Sequence, residues 1–315
     1  MTSENAVSLR HQRYLCKMFE VRTTENVSFG IAGVDWTPAQ GALRFRPMLL
    51  DIYEPDEAPT ALRPALILAF GGAFQRGTRK NDVVGELPHR NSAISEYCRE
   101  FARRGYVCFA IDYRLMPEAP DPGITPTWIA GTSINVDRAN FVRDLLGLHP
   151  CTQQMMIDEI EAATDDVSTA VEFVHSRCRD MMIDPDRIAL GGFSAGGTIA
   201  INSAFAQSAK VAAVVALSGR MSIESARSYV PDAQRPSLLM VFGESDLAGT
   251  LEDLETRTRY FDKVKLAHEV VHIKGATHFY PRTSEVTRKD GSLTDLETRL
   301  EEFLYKHLKL EELMK

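Results

Sequence analysis

No run of 18 apolar residues occurs anywhere in the 315-residue chain, and Met1 to Arg13 is polar with no apolar signal core. A membrane-spanning helix and a secretory leader are therefore not expected, and the chain reads as cytoplasmic. There is no basic excess: 36 Lys and Arg stand against 43 Asp and Glu, a formal charge of −7. That balance argues against nucleic acid or an anionic membrane as partner. The five cysteines (Cys16, Cys98, Cys108, Cys151 and Cys178) are odd in number and show no metal-ligand spacing. They read as reduced intracellular thiols, Cys108 in a core strand, and imply no metal and no other cofactor. Internal repeats and low-complexity tracts are also lacking.

What is present is enough apolar residue for one large core, 44% of the chain. A single α/β domain over residues 1–315 is expected. Residues 1–45 read as a mixed N-terminal extension, with a helix around Val7–Phe19. Apolar runs suited to buried strands occur at Met48–Tyr53, Ala65–Phe70, Tyr106–Ile111, Ile188–Leu190, Val211–Leu217, Ser237–Phe242 and His268–Ile273. Between them, Ile94, Tyr97, Cys98, Phe101 and Ala102 share one helical face, as do Ile160, Ala163, Val167, Ala170, Val171 and Val174. Helical stretches are also expected at Leu251–Phe261 and over Leu293–Leu310, the latter opened by a Thr294/Glu297 capping box. Strand and helix alternate, which predicts a mainly parallel sheet with helices on both faces. The proline-rich stretch 115–155 (Pro117, Pro120, Pro122, Pro126, Pro150) reads as a long loop covering the active site.

Chemistry in such a sheet gathers at the carboxyl ends of strands. Gly192-Phe193-Ser194-Ala195-Gly196 is a G-x-S-x-G sequence between an apolar strand and a small-residue helix, the context of a nucleophile elbow. Ser194, Asp246 and His278 follow in the order nucleophile, acid, base, each just beyond a strand. A serine hydroxyl needs a base to take its proton during attack. His278 fits that role, and Asp246 would fix its tautomer. Asp253 and Glu244 are rival acids on spacing, whereas His268, His272 and His307 sit inside elements where packing explains them. Gly71-Gly72-Ala73 offers bare backbone; the N–H groups of Gly72 and Ala73, with that of Ala195, would form an oxyanion hole. One such donor contributes roughly 2.7–4 kcal/mol to a transition state.

With these residues in place, the chain resembles the α/β-hydrolases, and within them the hormone-sensitive-lipase and feruloyl-esterase-like carboxylesterases. The family's H-G-G-A-[FW]-x-x-G loop is matched by Phe70-Gly71-Gly72-Ala73-Phe74-Gln75-Arg76-Gly77. Its D-Y-R-L-x-P-E segment is matched by Asp112 to Glu118, and its D-P-x-R-I segment by Asp184 to Ile188. Its G-x-S-A-G-G elbow is matched by Gly192 to Gly197, and its G-x-x-H-x-[FY] ending by Gly275 to Tyr280. The match runs over about residues 45–310. Phe70 departs from the family histidine that braces the oxyanion loop. The short interval from Ser194 to Asp246 resembles the dienelactone hydrolases and leaves little room for a cap there.

The resemblance implies an eight-stranded sheet and a carboxylesterase that works through an acyl-enzyme on a small-molecule ester. Phe74, Gln75, Arg76, Trp128, Phe193, Phe279 and Tyr280 are the candidate pocket residues. Amide or peptide hydrolysis, formamidase-like chemistry and lactone hydrolysis use the same triad and stay open, as does a non-catalytic hydrolase fold that only binds a ligand. For an acidic substrate, Arg76 and Arg114 are the candidate carboxylate partners. A homodimer is the assembly to expect if the chain associates.

Overall fold

The computed structural model describes residues 14–87, 89–129, 132, 134–230 and 236–314. Eight strands form one sheet: β1 (Val21–Thr37), β2 (Gly41–Pro55), β3 (Arg63–Ala69), β4 (Val107–Ile111), β5 (Ile183–Phe193), β6 (Ala213–Leu217), β7 (Ser237–Gly243) and β8 (His268–Ile273). Their spatial order is β1-β2-β4-β3-β5-β6-β7-β8. β1 pairs antiparallel with β2, and β2 antiparallel with β4; every later pairing is parallel. The expected mainly parallel, eight-stranded α/β sheet is therefore present. Strands β3, β4 and β6 are buried at every residue, which explains why they read as unbroken apolar runs.

The helices expected from apolar periodicity are present. α1 (Ile94–Ala102) coincides with its predicted face, and α3 (Gln153–Arg177) extends the predicted segment to 25 residues, with the Thr152 side chain capping its N-terminus. α4 (Ala195–Phe205) follows β5 directly and lies against β5 and β6, with α3 packed on it. Leu296–His307 forms α8, which with α1 covers one face through Leu66, Leu68, Val215 and Leu217.

Several expectations need correction. Residues 21–45 are not an extension: they build the edge hairpin β1–β2. Two register shifts in that hairpin, at Thr24/Val27 and Ser28/Gly30, break the alternation that would have announced β1. The proposed helix around Val7–Phe19 lies partly outside the described residues, and its described part, Tyr14–Phe19, is not helical. Within 115–155 a helix, α2 (Asp137–Leu145), interrupts the loop. Ile223–Tyr229 forms α5, unanticipated. The predicted Leu251–Phe261 helix is two pieces, α6 (Ala248–Leu251) and α7 (Leu254–Lys263), broken at Asp253, whose φ is 57°. Asp295, not Thr294, caps α8: it accepts from the Thr298 N–H at 2.9 Å, and Glu297 turns instead to Arg104, Lys17 and Arg282. A two-stranded ladder, β9 (Glu285–Thr287) and β10 (Leu293–Asp295), precedes α8.

Candidate active site

Ser194 stands between the end of β5 and the first residue of α4, with φ 54° and ψ −114°. This is a strained conformation for a residue with a side chain, and it persists only where its surroundings enforce it. The surroundings do so by contact. A Cβ on Gly192 would lie 2.5 Å from the carbonyl oxygen of Ala69 on the neighbouring strand, and one on Gly196 would strike the same carbonyl. The backbone can therefore turn this tightly only with glycine on both sides of the serine. Ser194 N–H donates to the Leu217 carbonyl at 2.7 Å, tying the turn to the end of β6.

The half-buried Ser194 hydroxyl is 2.8 Å from His278 Nε2, and His278 Nδ1 is 2.6 Å from Asp246 Oδ1. Asp246 and His278 are both buried. The aspartate follows β7 and the histidine follows β8, so three strand ends converge as the sequence order suggested. Asp246 has three further donors: Leu247 N–H at 2.7 Å on Oδ1, and Gly243 N–H at 3.3 Å and the Ser218 hydroxyl at 2.6 Å on Oδ2. The rival acids are elsewhere. Exposed Glu244 accepts from Gly275 N–H, and exposed Asp253 sits at the start of α7.

Ser218 was not among the sequence candidates. It is the buried residue after β6, and its hydroxyl is also 2.9 Å from the Tyr280 OH, which reaches the Val241 carbonyl at 3.1 Å. A lone serine after a strand carries no motif, and only the shared strand-end position could have flagged it.

The Gly71–Gly77 loop leaves β3 and passes the serine. Gly72, Ala73 and Phe74 all have positive φ, at 135°, 54° and 64°. A side chain at Gly72 would meet the carbonyl of Arg76. Among the described residues, the N–H groups of Gly72 and Ala73 donate to no protein acceptor. The N–H of Ala195, at the first position of α4, has no intrahelical acceptor either.

Where the family histidine would stand, Phe70 stacks on Tyr113 at a 4.3 Å ring separation, and the Tyr113 OH donates to the Phe70 carbonyl at 2.9 Å. Asp82 adds a second brace by accepting from the N–H groups of Gly71 and Ile94, each at 3.1 Å. Burial pushes the Asp82 carboxyl up to about 6, against the pull of those two donors. Arg79 closes the far end of the loop on Asp51 and Asp112.

A cavity of about 440 Å³ opens at Ser194 and His278, and Ala73, Phe74 and Trp128 line it. From 115–155 it also takes Ile134 and Arg138, whereas Ala130, Gly131 and Ser133 lie outside the described residues. Arg76, Phe193 and Phe279 line a small adjoining cleft that also touches Ser194 and His278. Two candidates are not pocket residues. Buried Gln75 turns inward, donating to the Ala73 carbonyl and accepting from Arg143. Tyr280 is buried behind Asp246. Arg114 is also corrected: its guanidinium is consumed by Asp166 at 2.9 Å and by the carbonyls of Asp121 and Ala162, which leaves nothing for a substrate.

Against solved structures, the native esterase 2 of the planctomycete Thermogutta terrifontis superposes with a TM-score of 0.54 over 85% of this chain and 88% of that one, at 17% identity. The form of that enzyme phosphorylated by paraoxon aligns with a TM-score of 0.51 at 18% identity, over 79% of this chain and 83% of the other. This chain has the α/β-hydrolase fold. Residues 144–284 match the phospholipase/carboxylesterase family. Over 150 residues it is 29% identical to the esterase LipC of Mycobacterium tuberculosis. That segment is 46% of this chain, and it spans about three tenths, 29%, of the length of that curated relative. Among the described residues, no helix is long and apolar enough to cross a membrane.

Proposed function

We propose that this protein is a carboxylesterase that works through an acyl-enzyme on Ser194. The observation that carries the reading is the continuous hydrogen-bond chain from Ser194 through His278 to Asp246 at the floor of the cavity. His278 Nε2 takes the hydroxyl proton as Oγ bonds to the ester carbonyl carbon. The carbonyl oxygen becomes an oxyanion, which the N–H groups of Gly72, Ala73 and Ala195 receive. Asp246 balances the charge on the imidazolium. As the tetrahedral species collapses, His278 gives the proton to the departing alcohol. A water then attacks the acyl carbon with His278 again as base, and the acid is released. Residues 115–155 cover the site, with Trp128 and Ile134 contributing the apolar wall that a non-polar part of the substrate would meet.

The sequence match to phospholipases and carboxylesterases supports the reaction class. Esterase 2 of Thermogutta terrifontis is phosphorylated by paraoxon, and the reading here predicts the same reactivity. A fluorophosphonate probe should label the protein on Ser194, and Ser194→Ala should abolish both labelling and hydrolysis of p-nitrophenyl butyrate. Peptide mapping that puts the label on another residue would overturn the assignment.

A further inference from the structure

The protein as a whole is acidic, at −7, yet its cleft is lined with cations. Arg220 lines the main cavity. Arg138 lines both it and the adjoining cleft, and Arg76 lines the cleft. Among the described residues, none of the three has a carboxylate within ion-pair distance, whereas Arg46, Arg63, Arg79, Arg104, Arg114, Arg187, Arg282 and Arg299 all do. A cation left unpaired in a partly enclosed cleft is costly unless a ligand completes it.

Arg220 is the best placed of the three. It lies two residues beyond Ser218, between the nucleophile strand and the acid strand. Its backbone N–H donates to Thr198 Oγ1 at 3.2 Å, and that hydroxyl lies one turn along α4 from Ser194, 3.3 Å from the Ser194 carbonyl. Its Nη1 is anchored to the Gly249 carbonyl. One anchor on a five-donor fork fixes the guanidinium and leaves other N–H groups to face the cavity.

Next to this lining is a further arginine with no carboxylate within ion-pair distance. Arg257 is 2% exposed and donates to the carbonyls of Met221 and Thr250, two residues of the cavity lining, while its Nε has no partner. Burial first, and then the charge of Arg220, lower the Arg257 guanidinium to about 10. The carboxylates acting on Arg257, Asp253 and Glu252, do not come within ion-pair distance of it. Among the described residues, the acid lining the main cavity is Asp137, which is exposed and accepts from Asn135, and the acid lining the adjoining cleft is Asp82, which is held by the N–H groups of Gly71 and Ile94. Besides Arg220, the cavity lining includes the polar residues Thr198, Asn202, Ser222 and Ser225. Phe74, Trp128, Met156 and Ile160 supply apolar lining.

We propose that the cavity takes an ester that also carries a carboxylate, and that Arg220 is the residue that pairs with it. The proposal rests on the esterase reading above and names its substrate class. A planar guanidinium forms charge-assisted hydrogen bonds to a carboxylate, about twice as strong as neutral ones. Arg76 and Arg138 at the rim would draw the anion in.

The test compares kcat/KM on the p-nitrophenyl monoester of adipic acid with kcat/KM on p-nitrophenyl hexanoate. The two share acyl length and leaving group and differ by the terminal carboxylate. The wild-type protein should favour the adipate ester by about tenfold, mainly through KM, and Arg220→Gln should erase that ratio. Arg220→Lys, which keeps the charge without the fork, should keep part of it. Raising NaCl from about 20 mM to about 0.5 M on the wild type should shrink the ratio, a readout that needs no variant. A wild-type preference for hexanoate, or an unchanged ratio in Arg220→Gln, overturns the proposal. If neither ester is hydrolysed, the esterase reading falls instead. The anion site is then decided by calorimetry with adipate: heat of binding that Arg220→Gln removes keeps it, and no heat, or equal heat in both proteins, ends it.

Discussion

The acid side and the oxyanion side of the proposed active centre are held by different means. Asp246 is held from close by, by N–H groups of Gly243 and Leu247 in its own turn and by Ser218 from the next strand end. The oxyanion loop is held from far away. Asp82 grips Gly71, Tyr113 grips Phe70, Arg143 grips Gln75, and Arg79 ties the loop to Asp51 on β2. The reason is the backbone. A strand end inherits its position from the sheet ladder, whereas three successive residues with positive φ have no regular hydrogen bonding to hold them. Side chains must supply what secondary structure does not. The comparison teaches that the acid side should fail through its reacting groups, and the oxyanion side through residues that never meet substrate.

The sharpest break lies on the acid side. Asp246→Asn should lower kcat by about 10⁴-fold with the fold intact, because the amide mis-sets the His278 tautomer. Asp253→Asn, at the exposed start of α7, should behave as wild type. An active Asp246→Asn protein would remove Asp246 from the proposed triad.

The oxyanion side should show the next largest effect. Asp82→Asn leaves one of two N–H groups without an acceptor and loosens the loop that presents Gly72 and Ala73. Loss of a placed oxyanion donor costs about 10²–10³-fold, so a donor that is only displaced should cost about 10–10²-fold in kcat. Ser218→Ala tests the acid side by an equally indirect route. It removes one hydrogen bond to a buried carboxylate, worth about 1.5–3 kcal/mol. Asp246 keeps its two backbone donors, so the loss in kcat should be nearer tenfold. If Ser218→Ala proves costlier than Asp82→Asn in steady-state assays, the contrast between the two sides is wrong.

The same contrast decides what the sequence makes legible. Ser194, Asp246 and His278 are each announced by an apolar run that stops, because strand ends are local events. The braces are not local: nothing near Asp82 says that its carboxylate meets Gly71, and nothing near Gln75 says that it turns away from the cavity toward Arg143. Ser218 is missed for want of any pattern. Arg114 lies in a family motif and at a strand end, and so reads as a binding residue until Asp166, 52 positions away, is seen to hold it. Arg220 gives no signal in sequence at all, since having no carboxylate within ion-pair distance is a property of the fold. β1 fails for a different reason, because its two irregularities shift the alternation that marks a half-exposed edge strand.

The smallest effect moves stability rather than rate, and it separates the two sides by pH. The Asp82 carboxyl titrates at about 6 in the folded protein against an ordinary 3.8, with burial the largest cause and the donors from Gly71 and Ile94 opposing it. Between those two values the folded chain holds a proton that the unfolded chain has released. Stability from this group is therefore fully present below the ordinary value and is lost as pH rises through about 6. The shift corresponds to at most about 3 kcal/mol. The amide introduced by Asp82→Asn cannot titrate, so the wild-type Tm minus the Asp82→Asn Tm should be largest near pH 4 and fall by a few degrees by pH 7, as thermal melts across that range would record. A difference that grows with pH would mean that the two N–H donors, not burial, dominate at Asp82. The brace would then be an ordinary ion-stabilising turn, and the oxyanion loop would owe its position chiefly to the Phe70–Tyr113 stack.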